Sequence, residues 1–329
     1  MDLAPLYKVQ DPWEIDIVSH LGPLPTVDPV ELLPGLSVSI EPPEAGDSDL
    51  QAAICAIETG DLITTNRVTL KILIEDGAES RRLHYCLLRA ACKGNVPLVR
   101  EVLARGVSVN KETVKVAIKA KALPLFSTFL DAGWDINEPL GPWQPPCLSL
   151  CIHDRDLVAW LLANGADPNR RCEIDLTPLS TAVEAASFEV IKLMFEYGGH
   201  IGHGQLLHYA VRRKGGDQME IVRFILLQGA HVDHVMYQND LKSYHLQKAF
   251  GLGTALHEAA RLGRVDVIDL LAAHGANPLI EDSLGRLPLQ IAQREANKRA
   301  EEALRQMSAR ARVPEYQFTA AARLQDAWR

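Results

Sequence analysis

The stretch Gly253-Thr254-Ala255-Leu256-His257-Glu258-Ala259-Ala260, followed by Gly263, by Val267-Ile268 and Leu270-Leu271, and closed by Gly275-Ala276-Asn277, decides the fold of this chain. Thr254 is a capping residue directly ahead of an apolar-periodic run, so a helix is predicted to open there. Ala259-Ala260 is small enough to let a second helix approach, and the Val, Ile and Leu positions fill the layer between them. Gly275 suits the left-handed backbone that ends a helix. The unit is therefore a helix-turn-helix, and units this short cannot bury an apolar face alone.

The same frame recurs upstream. Thr177-Pro178-Leu179-Ser180 with Ala182-Val183, Val190-Ile191 and Gly198-Gly199 is one copy. Gln205-Leu206-Leu207-His208 with Ala210-Val211, Ile221-Val222 and Gly229-Ala230 is another. Leu148-Ser149, Leu157-Val158, Leu161-Leu162 and Gly165-Ala166-Asp167-Pro168-Asn169 give a copy with a shortened first helix. Ala117-Ile118 to Gly133 and Ala90-Ala91, Gly94 and Gly106 precede it. Ala56-Ile57, Gly60 and Gly77-Ala78 form the first copy, stretched ahead of its second helix. Downstream, Leu287-Pro288-Leu289-Gln290-Ile291-Ala292 begins a last unit whose second half turns highly charged (Lys298, Arg299, Glu301, Glu302), as a solvent-facing cap requires.

This pattern resembles the ankyrin-repeat family. The resemblance implies an all-α ankyrin-repeat solenoid of seven helix-turn-helix repeats and a C-terminal capping unit, with a concave surface of inner helices and hairpin tips where protein partners dock. Three segments follow: an acidic, Pro-rich arm (1–45), the array (46–310, with an insertion at about 235–252) and a tail (311–329) able to form an amphipathic helix with Phe318, Leu324 and Trp328. The arm carries eight of the 19 prolines and reads either as an extended or disordered acidic linker or as a segment that lies in the groove or over the first repeat with Trp13 as its anchor.

Residues 1–49 hold ten acids and one Lys, a net of −9, which leaves the rest of the chain at +1 of the total −8. A phosphate ligand wants a concentrated basic face, so nucleic acid is not expected as the main partner. No apolar run reaches the 18 or so residues of a membrane span, so no membrane partner is expected. Cys55, Cys86, Cys92, Cys147, Cys151 and Cys172 show no CxxC pairing and read as reduced, mostly buried residues. With no basic leader in the first 30 residues, the cytoplasm or nucleus is the expected compartment.

A search for chemistry finds neither a GxSxG elbow nor a phosphate-binding GxxxxGK loop. His257-Glu258 starts like HExxH, but the fifth position is Arg261. Cys147 and Cys151 share a helix face and read as core. No cofactor and no resident metal are expected.

The candidate partner-binding residues lie in the hairpins. His200 and His203 follow Gly198 at the offsets at which His231 and His234 follow Gly229, so the four imidazoles occupy equivalent tips of adjacent repeats. Neutral imidazoles can ligate a transition metal, but polar or pH-sensitive contact with a partner is the favoured reading. Trp134 and Trp143 share one hairpin; Trp is enriched in binding hot spots, and the alternative for either is cover for the apolar edge of a shortened repeat. The hairpin from Gly198 to Gln205 is short, and that from Gly229 to Thr254 is long. The long one carries Tyr237 and Tyr244 among polar residues and is expected to project beside the His-bearing tips. A non-catalytic scaffold or adaptor, monomeric, that binds another protein is the expected function. The alternative is a small-molecule receptor or atypical enzyme with His200, His203, His231, His234 and the 235–252 loop as its walls.

Overall fold

The computed structural model describes residues 47–78 and 80–311. The acidic arm with Trp13 and the expected tail helix lie outside the described residues.

Helices come in pairs. The first three are α1 (Ser48–Thr59) with α2 (Leu62–Asp76), α3 (Arg81–Cys92) with α4 (Val96–Ala104), and α5 (Lys111–Lys119) with α6 (Leu123–Asp131). A two-stranded antiparallel hairpin, β1 (Pro139–Gly141) and β2 (Gln144–Pro146), then leads into a 3₁₀ turn (Cys147–Leu150) paired with α7 (Arg155–Ala163). Next come α8 (Pro178–Ala185) with α9 (Phe188–Glu196) and α10 (Leu206–Arg212) with α11 (Gln218–Leu227). The insertion contributes α12 (Leu241–Gln247). The array closes with α13 (Ala255–Leu262) and α14 (Val265–Ala273), then α15 (Pro288–Arg294) and α16 (Lys298–Ala311).

The first member of each pair packs on its counterpart in the next. One row runs α1, α3, α5, the 3₁₀ turn, α8, α10, α13 and α15. Because α10 packs directly on α13, the insertion leaves the stack uninterrupted. The expected all-α solenoid of seven repeats and a cap is the observed architecture of this unit.

Local sequence accounts for the elements. Asp47, Asp61, Asn95, Asn110 and Asp154 each accept a backbone N–H of the first turn that follows, the type of cap that contributes about 1 kcal/mol per helix. Thr177 and Ser180 form a full capping box on α8. Gly275, at φ +81°, ends α14 in the left-handed region as expected. The first repeat differs from expectation. Its extra residues do not precede the second helix but lengthen it, so that α2 has 15 residues against nine in α4. The fourth repeat has only a 3₁₀ turn because Asp154 already caps α7, four residues beyond Leu150.

The inner row is tight because its facing positions are small: Ala90, Ala117, Ala182, Ala210, Ala259 and Ala292 are all fully buried. Across the outer row aromatic rings join successive repeats. Trp160 lies 6.0 Å from Phe126, and Phe224 lies 5.1 Å from Phe188 and 5.2 Å from Phe195. Cys147 and Cys151 are core residues, as expected. Their thiols meet only the Ile136 and Cys147 carbonyls, and burial pushes the Cys147 thiol up to about 12.

Two ladders of side-chain hydrogen bonds set the spacing of repeats. At the start of three inner helices one residue reaches into the next hairpin: Ser180 Oγ donates to the Gly204 carbonyl (2.7 Å), His208 Nε2 to that of Gly253 (3.0 Å) and His257 Nε2 to that of Arg286 (3.0 Å). His257 Nδ1 accepts the Thr254 N–H at 3.0 Å, so its proton must sit on Nε2. At the tips, Asn137 Oδ1 accepts the Asp167 N–H, Asn169 Oδ1 that of His200, and Asp233 Oδ1 that of Asn277. Gly202 occupies the equivalent position of the short hairpin and has no side chain to continue the ladder.

Burial disfavours the imidazolium, so the pKa of His208 falls to about 4, and those of His257 and His234 fall as well. The unfolded chain takes up protons near pH 6.5 that the folded protein refuses. Stability is therefore full above that value and declines as pH falls towards 4, with His208 alone contributing about 3 kcal/mol of the loss. Melting curves of the intact protein and His208→Gln between pH 7.5 and 4.5 check this; the variant should lose less, and parallel curves would show that His208 carries none of the effect.

Candidate partner-binding surface

The hairpins after the third, fourth, fifth and sixth repeats adjoin one another and bring most of the expected residues to one edge of the array. Their order begins with the β1–β2 hairpin. Pro139 pairs with Pro146 and Gly141 with Gln144, which leaves Pro142 and Trp143 as the turn. Trp143 is 49% exposed. Trp134, on the same hairpin, is half-buried against Phe129 and Phe126, with ring centroids 6.0 and 6.3 Å away. The two tryptophans thus divide between the two expected roles: Trp134 covers the apolar edge and Trp143 faces solvent.

The next hairpin, residues 165–176, is held to the first by the Glu173 N–H, which donates to the Pro142 carbonyl at 3.0 Å. Between them lies an open depression of about 460 Å³, lined by Pro139, Pro142, Arg170, Arg171, Cys172 and Glu173 among others. It opens broadly to solvent, which suits a side chain of a partner better than a substrate that must be enclosed. Cys172 is buried in its floor, where burial pushes the thiol up and away from reactivity.

Asp175 on this hairpin is a buried carboxylate. It accepts the Gly204 N–H at 3.0 Å and Gln205 Nε2 at 2.5 Å, and His203 Nδ1 lies 3.8 Å away. His203 and His200 are exposed, with ring centroids 5.3 Å apart. His234 is half-buried, 6.4 Å from the His208 ring, and burial with the neighbouring His231 lowers its pKa. The imidazoles thus fall into two close pairs, His200 with His203 beside Asp175 and His234 with His208. Two of them also serve the backbone locally: His200 Nδ1 accepts the Gly202 N–H, and His231 Nδ1 that of Asp233. Among the described residues no group of three or more His, Cys, Asp or Glu side chains is placed to hold a metal ion.

Tyr237 departs from expectation. It is 1% exposed, and its backbone takes the left-handed conformation at φ +63°. Its N–H donates to Gln205 Oε1 at 3.0 Å, and its hydroxyl is hydrogen-bonded to that of Tyr209, whose pKa burial pushes up to about 12. The physical reason is the short preceding hairpin, since Met236 and Tyr237 fill the space beside Gly204 and Gln205. Tyr237 is thus part of the core and is removed from the candidate surface. Tyr244 is half-buried on α12, its ring 6.2 Å from that of His245.

The insertion does not project freely. Its helix folds back over the 165–176 hairpin: Arg171 pairs with Asp240, Lys242 Nζ lies 2.9 Å from Glu173, and buried Ser243 Oγ accepts the Asp175 N–H at 2.9 Å. The anchors Arg171, Asp175, Gln205 and Ser243 escaped sequence reasoning, because their partners lie some 30 to 70 residues away in the chain. The signal nearest to hand was Asp175 itself, a carboxylate between Ile174 and Leu176.

On the inner helices the same repeats carry a partly buried charge cluster. Arg212 Nε donates to Glu258 Oε1 at 2.7 Å, and Arg261 Nη2 to the same oxygen at 2.5 Å. Burial alone would raise the Glu258 pKa, but Arg212 and Arg261 outweigh it and hold the carboxyl at about 2. Removing one member leaves the other charge uncompensated, so Glu258→Ala should cost about 3 kcal/mol in chemical denaturation. Arg212→Leu with Glu258→Leu should cost clearly less than the sum of the single changes; strictly additive costs would mean that the pair is not coupled.

The family model for ankyrin repeats (three copies) matches residues 147–236 and 207–312. The chain is 28% identical over 208 residues to YahD of Escherichia coli (strain K12), whose name classes it with ankyrin repeat proteins; the match covers 57% of this chain and 95% of that one. Over 130 residues it is 32% identical to an aspartate–tRNA(Asp/Asn) ligase of Thermotoga neapolitana, a match that covers 38% of this chain and 21% of the ligase.

Proposed function

The chain belongs to the ankyrin-repeat family, and from that premise we propose that it is a non-catalytic scaffold that binds another protein through its hairpin tips and concave face. Ankyrin repeats mediate protein–protein interaction. The observation that carries the reading here is the exposed Trp143 on a hairpin whose neighbour is tied to it through the backbone. A large aromatic side chain held out by a rigid turn is the type of residue that dominates binding energy. His200, His203 and His231 are exposed on later hairpins of the same edge, polar groups that contribute selectivity more than affinity. In this reading the protein acts as a monomer in the cytoplasm or nucleus. The reading draws support from the six cysteines, none of which is in a disulfide. Among the described residues no helix is long and apolar enough to cross a membrane.

Affinity capture with the full-length protein tests the proposal. Trp143→Ala should weaken retention of the partner about 30-fold, and adding His203→Ala and His231→Ala should weaken it severalfold further, with the melting temperature little changed. Undiminished capture by the triple variant would refute this surface as the binding site.

A further inference from the structure

Helix α12 is amphipathic in the inverted sense. At about 100° per residue, Ser243, Tyr244 and Gln247 fall on one side, and Leu241, Lys242, His245 and Leu246 on the other. The polar side faces the array: Ser243 is fully buried at 0% exposure and bonded to Asp175, while Tyr244 and Gln247 are half-buried. The leucines face water. Leu241 is 71% exposed and Leu246 49%, and in the 3₁₀ turn that follows (Lys248–Phe250) Phe250 is 59% exposed.

This orientation is imposed. Asp240 caps the helix through the Ser243 N–H (2.8 Å) and pairs with Arg171, while Lys242 pairs with Glu173. Beyond the helix, Ser283 Oγ donates to the Lys248 carbonyl at 2.6 Å and accepts the Leu252 N–H at 2.7 Å. A free loop would turn its leucines inward. This one is held at both ends with Asp240, Lys242 and Ser243 already partnered, so its apolar face is pre-organised for an external contact.

We propose that this face docks a partner's acidic segment in which carboxylates are interleaved with large apolar side chains. The inference rests on the scaffold reading above and gives the partner its chemistry. The apolar half of the recognition comes from Leu241, Leu246 and Phe250. The acidic half comes from charge: residues 241–250 contain Lys242, Lys248 and no carboxylate. Lys242 is neutralised by Glu173, but Lys248 pairs with no carboxylate among the described residues. Arg170, exposed beside the Arg171 anchor, likewise has no carboxylate partner there.

The test uses the full-length protein and fluorescein-labelled peptides of about a dozen residues, within the reach of a strand laid along this short helix. One alternates Glu with Leu and Trp, a second replaces Glu by Lys, and a third replaces Leu and Trp by Ser. Fluorescence anisotropy should show binding of the first alone. Leu246→Ser with Phe250→Ser should weaken it about tenfold or more, and Lys248→Glu severalfold, with unchanged melting temperatures. Equal binding of the Lys peptide, binding indifferent to the double substitution, or no binding of the first peptide would each overturn the proposal. So would a dimer in sedimentation that the double substitution dissolves. Capture of the partner that still depends on Trp143 while the peptide fails would confine the failure to the docking chemistry; loss of that dependence would bring down the scaffold reading itself.

Discussion

The array is held in register by a donor at the start of an inner helix and a carbonyl in the hairpin that follows. These groups are buried or partly buried, and a buried polar group without a partner costs more than a made bond returns, so each repeat that carries the pair is in register only when the next is present. The position asks for a proton and enough reach. Histidine supplies both at His208 and His257. Ser180 suffices in the fifth repeat because Gly204 comes so close that an added Cβ would lie 2.4 Å from the Ser180 hydroxyl. In the cap Gln290, at the equivalent position, turns back to accept the Leu287 N–H.

The short fifth hairpin and the long sixth one compensate each other. The first lacks the tip amide at Gly202 and enters α10 through Gln205 in the left-handed region, at φ +53°. Both features would leave a gap beside Asp175. The insertion closes it with Tyr237, whose N–H meets Gln205 Oε1, while Gln205 Nε2 meets Asp175. Two residues other than glycine in left-handed backbone, each costing of order 1 kcal/mol, are offset by one buried network across three hairpins.

What the sequence disclosed follows from the range of each signal. Repeat frame, helix pairs, capping residues and the buried cysteines are local or periodic, and Thr177, Gly275 and Cys147 could be read at sight. The equivalence of the His-bearing tips was also periodic, though the close ring pairs are His200 with His203 and His234 with the inner-helix His208. The fate of Tyr237 was not legible, because an aromatic in a polar insertion looks the same whether it seeks a partner or a gap in its own core. Likewise Trp134 and Trp143 differ only in whether Phe126 and Phe129 lie beneath, a fact of packing. The inverted face of α12 was hidden for the same reason. Ser243 is an ordinary surface residue until the Asp175 N–H, 68 positions away, is placed against it.

The hairpin from Arg170 to Asp175 then emerges as the element that relates the two exposed surfaces. Its Glu173 N–H fastens the turn bearing Trp143, and its Arg171, Glu173 and Asp175 fasten α12. Trp143 and the leucines of α12 are thus held from a common segment of six residues, although about a hundred residues separate them in the chain. A partner that engages both meets two anchors already placed relative to one another, and the ordering entropy that independent loops would lose on binding has been lost in folding. Apart from Arg170, the polar residues of this hairpin are engaged with the protein itself. Selectivity is therefore left to the few side chains that project, Trp143, the imidazoles, Lys248 and the α12 leucines, which can vary without disturbing the bonds that position them.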